Sequence, residues 1–564
     1  MMKNDDEAIA PPMPSDVMRC QFGGAPELSG RGTLALNLTA GGRGEFSVCF
    51  DFGSLGCLQS APYELWWQGA RLSTANGSLR VASSSITQGA DRLGAYNDMT
   101  LQWEAPGAAP GTLAWGTTFR CHSHGPLRFI QSFPAGWRGE LGRHADVDTA
   151  ATSFPSFRFP ADPALRAVTF RGQNAAQSTH FGPWPESYRG GYLGGPVALM
   201  PTAMDAAIVL SPLDQFMIVE HSLQAEADGS STLSFGALGL LEELPRNATL
   251  EFVLAAEPAG VNASRPRAGL VASAFMHWGD LLRQYHGGTQ ALPNASTTMS
   301  TLGYSTTGIY HYNPCDCVDN PSGESCGNTS SPNLPGCKTY QDTLVAVMAD
   351  ARKRGLPYKW LLIDSWWHAY DAQEYFEDVP QQVSALFPNG LRWLADKEEV
   401  SFSAHWSASF GPQSPYRKIA PESWYCAVDS TGAETLCIPT DEAVFDHIFQ
   451  SDQSWRLKTI KIDHVLSTLI GSNGDNGDGT CPGPLGWPHP GHECRPGERT
   501  AMLRNKSQPV MACLTSPVVA ERFLTSVARA AERWGVDIEW CMSYRASVLA
   551  PHSPPPAPPP RAAR

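Results

Sequence analysis

The stretch "YKWLLIDSWWHAYD" (residues 358–371) runs a mostly apolar segment straight into an acid, two tryptophans and a histidine. No charge follows Lys359 until Asp364. A short apolar run of this kind suits a strand covered on both faces, as in a parallel sheet wrapped by helices. A strand over Tyr358–Asp364 then carries Asp364 at its carboxyl end. In open α/β sheets and in (β/α)8 barrels that end faces the ligand, because the loops that build the site emerge there.

Read outward from this segment, the chain from about Ser300 alternates strand and helix. "LGYSTTGIYHY" reads as a first strand, "TYQDTLVAVMADARKRG" as a helix with a Thr cap and a Gly stop, and "YKWLLID" as the second strand. "GLRWLADKE" is a short helix, "VSFSAHWSASF" a third strand, "AVFDHIFQSD" a helix and "LKTIKIDHV" a fourth strand. After a long Gly/Asp/Pro/Cys loop, "PVVAERFLTSVARAAERWG" is the strongest helix and "VDIEWCMSY" a fifth strand. The order matches the start of a (β/α)8 barrel, with five strands of the eight. The last residues, "APHSPPPAPPPRAAR", read as a Pro/Ala tail with no regular structure.

The first half differs. Short alternating segments such as "GTLALNLTA", "EFSVCFDF", "MTLQWEA", "LRFIQSF" and "ATLEFVLAA" are broken by glycine and proline, the pattern of a large antiparallel sandwich. Only "ASAFMHWGDLLRQYHG" has helical spacing there, and it marks the boundary. The expected architecture is therefore multidomain. A disordered tail over 1–19 precedes a β-sandwich over 20–292, an incomplete (β/α)8 barrel follows over 300–548, and a disordered tail over 549–564 ends the chain.

Composition narrows the partners. A chain of 564 residues with 42% hydrophobic content supports more than one core. The net charge of -14, spread without long acidic runs, argues against nucleic acid as a partner. No apolar run approaches the roughly 18 residues that span a bilayer, so no membrane anchor is expected. Trp occurs 17 times, and exposed aromatics are common where sugar rings stack, although most tryptophans fill cores. Oligomeric state is not legible.

The 14 cysteines include Cys426 and Cys437, which flank "AVDSTGAETL" like the two strands of a hairpin and suggest a disulfide. Cys315, Cys317, Cys326 and Cys337 crowd one loop, and Cys481 and Cys494 flank another. No CxxC pair occurs, and no metal or cofactor is expected. "NGDNGDGT" fails the spacing of a calcium loop and reads as a Gly/Asn-rich turn segment. Asn37, Asn76, Asn247, Asn262, Asn294, Asn328 and Asn505 all begin Asn-x-Ser/Thr acceptors. Together these suggest a secreted or lumenal glycoprotein, although "MMKNDDEAIAPPMPSDVM" has no apolar signal-peptide core.

Candidate chemistry lies at the strand ends. The two-residue period of "LKTIKIDHV" puts Lys461 and Asp463 on one face and Ile460 and Ile462 on the other. A nearby ammonium favours an ionised carboxylate, the state that a retaining glycosidase needs in its nucleophile. The competing reading is a structural Lys–Asp ion pair or a loop cap. In the third strand Ser401, Ser403 and His405 alternate with Val400, Phe402 and Ala404. In the fifth, Asp537, Glu539 and Cys541 alternate with Val536, Ile538 and Trp540. His405 is equally consistent with a satisfied core histidine, and Asp364 with a loop cap over two packed tryptophans.

The motifs "IDSWW" and "KIDHV" resemble those of the (β/α)8 glycoside hydrolases that include α-galactosidases, raffinose synthases and seed imbibition proteins. That family ends strand two with acid-acid-x-Trp and strand four with Lys-x-Asp, and its raffinose synthase branch carries a large amino-terminal β-sandwich. The resemblance implies a retaining α-glycosidase or transglycosidase acting on α-galactoside-like sugars. Asp463 would be the nucleophile, Lys461 a sugar-hydroxyl donor, and Asp364 and Trp367 the holders of the glycone's far hydroxyls. Trp366, His405, Glu539 and Cys541 complete the expected carbohydrate-binding set. Ser365 replaces the family's second acid, which helps select galactose, and the family's general acid/base follows a sixth strand. The alternative is a non-catalytic carbohydrate-binding relative, or an inactive fragment lacking the general acid/base.

Overall fold

The structure, a computed structural model, describes residues 17–540 apart from 24–30, 38–43, 105–112, 139–149, 171–179, 186–187, 190–195, 259–267, 289–295, 307–339, 365–386, 408–409, 429–433, 453–454, 464–479, 483–487, 494–516 and four single positions. The chain divides into two compact units, Met1–Gly287 and Gly288–Arg564.

The first unit is built from antiparallel strands. Its two large sheets have eight and nine strands among the described residues. Aromatic side chains from both meet in one core: Phe46 and Phe157 of the eight-stranded sheet pack edge-on against Phe119 and Phe129 of the nine-stranded one. Trp103, Trp115, Phe119, Phe129 and Phe157 are fully buried. Cys20 and Cys121 form a disulfide that ties one sheet to the other, and Cys49–Cys57 closes a hairpin. Alternation explains the pattern, since every second residue of Glu45–Phe50 is buried.

The helix Ala268–His286 ends this unit. Leu270 and Ala274, one turn apart, pack on Val168, Ala198, Met200, Ala207 and Val209 of the nine-stranded sheet. Its Trp278 Nε1 donates to Ser211 Oγ at 2.8 Å. Gly287, with φ +71°, supplies the left-handed residue that stops the helix.

The second unit holds one five-stranded sheet whose pairings are all parallel. Its elements are β1 (Gly303–Ser305), α1 (Tyr340–Lys353), β2 (Trp360–Ile363), α2 (Leu391–Glu398), β3 (Ser401–Ser407), α3 (Glu442–Asp452), β4 (Leu457–Asp463), α4 (Pro517–Trp534) and β5 (Asp537–Trp540). The strands lie side by side in chain order, β1-β2-β3-β4-β5. Such an order needs a crossover segment between each pair, and a helix is described in each interval. Gly303 fits β1 because a Cβ there would stand 2.0 Å from the Trp360 ring on β2. An antiparallel hairpin of Trp424–Val428 and Glu434–Pro439 sits between β3 and α3 in sequence, closed by the Cys426–Cys437 disulfide.

One face of this sheet is apolar and meets helices. Trp406, Ile460 and Ile462 line a small void with Phe445 and Ile448 of α3 and Phe523 of α4. The other face carries Ser403 and His405 of β3, Thr459 and Lys461 of β4, and Asp537 and Glu539 of β5.

Candidate functional site

Register decides which side chains share that polar face. Ser403 pairs with Thr459, His405 with Lys461 and Ser407 with Asp463 across β3 and β4. Thr459 in turn pairs with Asp537, and Lys461 with Glu539 on β5. A register shift between Phe402 and Ser403 brings these polar positions level: Phe402 faces Leu457, and Ser403 then skips Lys458 to face Thr459. Asp364 follows Ile363, the partner of Ala404, so it stands level with His405. The result is a row of Asp364, His405, Lys461 and Glu539 near the carboxyl ends of four neighbouring strands.

The row is held by an ion pair. Lys461 Nζ donates to Asp364 Oδ2 at 3.2 Å, and their side chains are only 6% and 4% exposed. At an effective dielectric of about 20 the attraction at this range is about 5 kcal/mol, against a desolvation cost of several kcal/mol per ion. The balance is close, so the pair fixes the position of two charges more than it stabilises the fold. His405, 1% exposed, lies on the strand between them.

Below this level the Ser403 and Thr459 hydroxyls are buried and find no hydrogen-bond partner among the described residues. Above it, the main chain of β4 ends at Asp463, whose side chain lies outside what the structure describes. Glu539 on the last described strand is exposed. Trp366, Trp367 and Cys541 lie outside the described residues.

Thr306 belongs to the site, although neither its composition nor its spacing singles it out. It directly follows β1 and is fully buried. Its hydroxyl donates to Leu362 O at 2.9 Å and accepts from the Asp364 main-chain N–H at 3.1 Å. A threonine at a strand end is the only sequence signal for it, and that signal is common. Elsewhere in the unit Cys426, Glu434 and Cys437 cluster closely enough to suggest a metal, but the two sulfurs are bonded to each other and Glu434 pairs with Arg417.

No family model and no curated protein sequence matches the chain. Solved structures do. The α-N-acetylgalactosaminidase NagBb of Bifidobacterium bifidum, in complex with GalNAc, aligns over 96% of this chain and 81% of its own, at TM-score 0.50 and 12% identity. The α-galactosidase of Lactobacillus brevis aligns over 93% and 70%, at TM-score 0.49 and 11% identity. The GH36 α-galactosidase AgaB of Geobacillus stearothermophilus aligns over 92% and 72%, at TM-score 0.46 and 10% identity. The NagBb likeness, at TM-score 0.50, shows that the chain shares the fold of that structure.

Proposed function

We propose that the chain is a retaining α-glycosidase or transglycosidase acting on α-galactoside-like sugars, with Asp463 as nucleophile and Asp364 and Lys461 as holders of sugar hydroxyls. The five-stranded parallel sheet is read as the first five strands of a (β/α)8 barrel, following an amino-terminal β-sandwich. The observation that carries the reading is the buried Asp364–Lys461 pair level with His405, near the strand ends where such sheets bind ligands. A sugar hydroxyl both donates and accepts, so a carboxylate beside an ammonium offers it both partners at once. The sugar class comes from the motif resemblance and from the Bifidobacterium neighbour, named for its action on α-linked N-acetylgalactosamine. Trp366, Trp367, His405, Glu539 and Cys541 are assigned to the sugar site on the same reading.

The chemistry asked of the strand-end acid is displacement at the anomeric carbon. An Asp463 oxygen forms a bond to that carbon as the bond to the leaving group breaks, giving a covalent glycosyl ester. Natural leaving groups depart with a proton from a general acid, which the family supplies after a sixth strand. A fluoride or dinitrophenolate departs without one.

The test is therefore incubation with an α-galactosyl fluoride or dinitrophenyl α-galactoside, followed by intact-mass measurement and peptide mapping. An adduct of one glycosyl unit on the peptide holding Asp463, absent in Asp463→Asn, is the expected result. An adduct on Asp364, or undiminished labelling of Asp463→Asn, overturns the assignment. The cysteine pairing and the acceptor asparagines support passage through an oxidising, glycosylating compartment. Among the described residues no helix is long and apolar enough to cross a membrane. Described Asn76 and Asn247 both stand exposed in turns. Loss of mass from both after treatment with a peptide N-glycosidase is expected for protein taken from its own cells.

A further inference from the structure

We infer that Thr306 is a positioning residue for Asp364, aiming its carboxylate into the sugar site from the neighbouring strand; the inference rests on the sugar-site reading given above. In the parallel ladder of β1 and β2, Ser305 pairs with Leu362, so Thr306 would pair with Ile363. Such a residue donates its N–H to the carbonyl before its partner and accepts, on its own carbonyl, the N–H after it. The first bond is present: Thr306 N–H donates to Leu362 O at 3.2 Å. For the second, the side-chain hydroxyl stands in for the main-chain carbonyl and takes the Asp364 N–H at 3.1 Å.

The substitution adds one rung to the ladder at the residue that carries the acid. Asp364 is thereby fixed from two sides, its main chain by β1 through Thr306 and its carboxylate by β4 through Lys461. The hydroxyl is also anchored, because it donates to Leu362 O at 2.9 Å and so presents its lone pairs to Asp364 in a defined direction. Recognition of a sugar hydroxyl tolerates misplacement of only about 0.5 Å and 10–20°, so the main chain that carries the acid has to be held as well as its carboxylate. Removing the hydroxyl while keeping the branched shape leaves a buried N–H without its acceptor, and the chain relieves this by moving Asp364.

The experiment compares the full chain with Thr306→Val and Thr306→Ser by three measurements. These are amide hydrogen exchange resolved over residues 360–364, affinity for the galactose-configured iminosugar 1-deoxygalactonojirimycin by calorimetry, and the thermal midpoint. Valine should speed exchange at Asp364 and weaken iminosugar binding, each by about tenfold, as loss of a single buried hydrogen bond implies. Serine should restore both to within about threefold, since it keeps the oxygen. Unchanged exchange at Asp364 in Thr306→Val overturns the inference. So does unaltered binding by that variant when the parent binds, or a failure of serine to rescue at an unchanged thermal midpoint. A parent chain that binds no galactose-configured ligand defeats the sugar-site reading instead, and the exchange comparison then still decides whether Thr306 fixes Asp364.

Discussion

Lys461 and Asp364 meet at 3.2 Å although 97 positions separate them and their strands are not neighbours. β3 lies between β2 and β4, so the two backbones stand two strand spacings apart, about 9.6 Å. A carboxylate can be reached over that gap only by a long side chain crossing above the middle strand. Lysine, with its four-carbon stem, does so over His405.

Breaking this bridge from one end should cost more than removing both charges. Lys461→Met leaves the Asp364 carboxylate buried without its ammonium, and a loss of about 3 kcal/mol in unfolding free energy is expected. Asp364→Asn should cost about as much. The double substitution should recover at least about 1 kcal/mol relative to the sum, because the residues that remain are neutral. Urea denaturation of the four proteins measures the cycle. Strict additivity would mean that the pair does not act as a unit.

How much of this was legible follows from the distances along the chain over which each signal acts. The two-residue period is local, so the apolar face of Ile460 and Ile462 and the opposite placing of Lys461 could be read directly. The α4 helix was equally plain. The partner of Lys461 was not, because it depends on which strands adjoin and on a register shift between Phe402 and Ser403 that leaves no mark in composition. Thr306 escaped for the same reason: its hydroxyl acts on a strand 58 residues away. Among cysteines, the Cys426–Cys437 hairpin was visible from its turn, whereas Cys20 and Cys121 are joined only once two sheets face each other.

The two disulfides should differ in worth according to the chain they close. Cys20–Cys121 spans 101 positions and Cys426–Cys437 only 11. In the chain-entropy account the first contributes about 4–5 kcal/mol and the second about 2–3 kcal/mol. Paired Cys→Ser variants, compared by denaturant midpoint at constant slope, should therefore rank with Cys20/Cys121 the more damaged. The reverse order would place the stabilising effect in native-state contacts.

Acid sensitivity should be traceable to His221. It is fully buried against Phe235, whose ring lies 4.9 Å away and nearly parallel, and burial pushes its pKa down from 6.5 to about 3. A depressed histidine pKa means that the unfolded chain takes up the proton first. Its contribution to stability is therefore complete above about pH 6.5 and is lost as pH falls toward about 3, at roughly 1.4 kcal/mol per pH unit inside that window. His221→Phe should flatten the dependence of unfolding free energy on pH between 6 and 4 by about one proton's slope. An unaltered slope would assign the acid response to other groups.

Stability and sugar chemistry should respond differently to the same Asp364–Lys461 cycle. If the pair only braced the sheet, the double variant Asp364→Asn/Lys461→Met, which regains stability, would regain labelling by an activated α-galactoside as well. If the two charges hold sugar hydroxyls, neutral replacements cannot supply a charge-assisted bond, and each loss costs about 1.5–3 kcal/mol of ligand interaction, roughly 10- to 150-fold. Lys461→Met is thus expected to slow labelling of Asp463 without abolishing it, because the nucleophile is still present. The double variant should label no faster than either single one, while Asp463→Asn should not label at all. Time courses of intact mass, taken at a temperature where all five proteins remain folded, provide the comparison. Recovery of labelling in step with recovery of stability would show that the pair braces the sheet and that the sugar is held elsewhere.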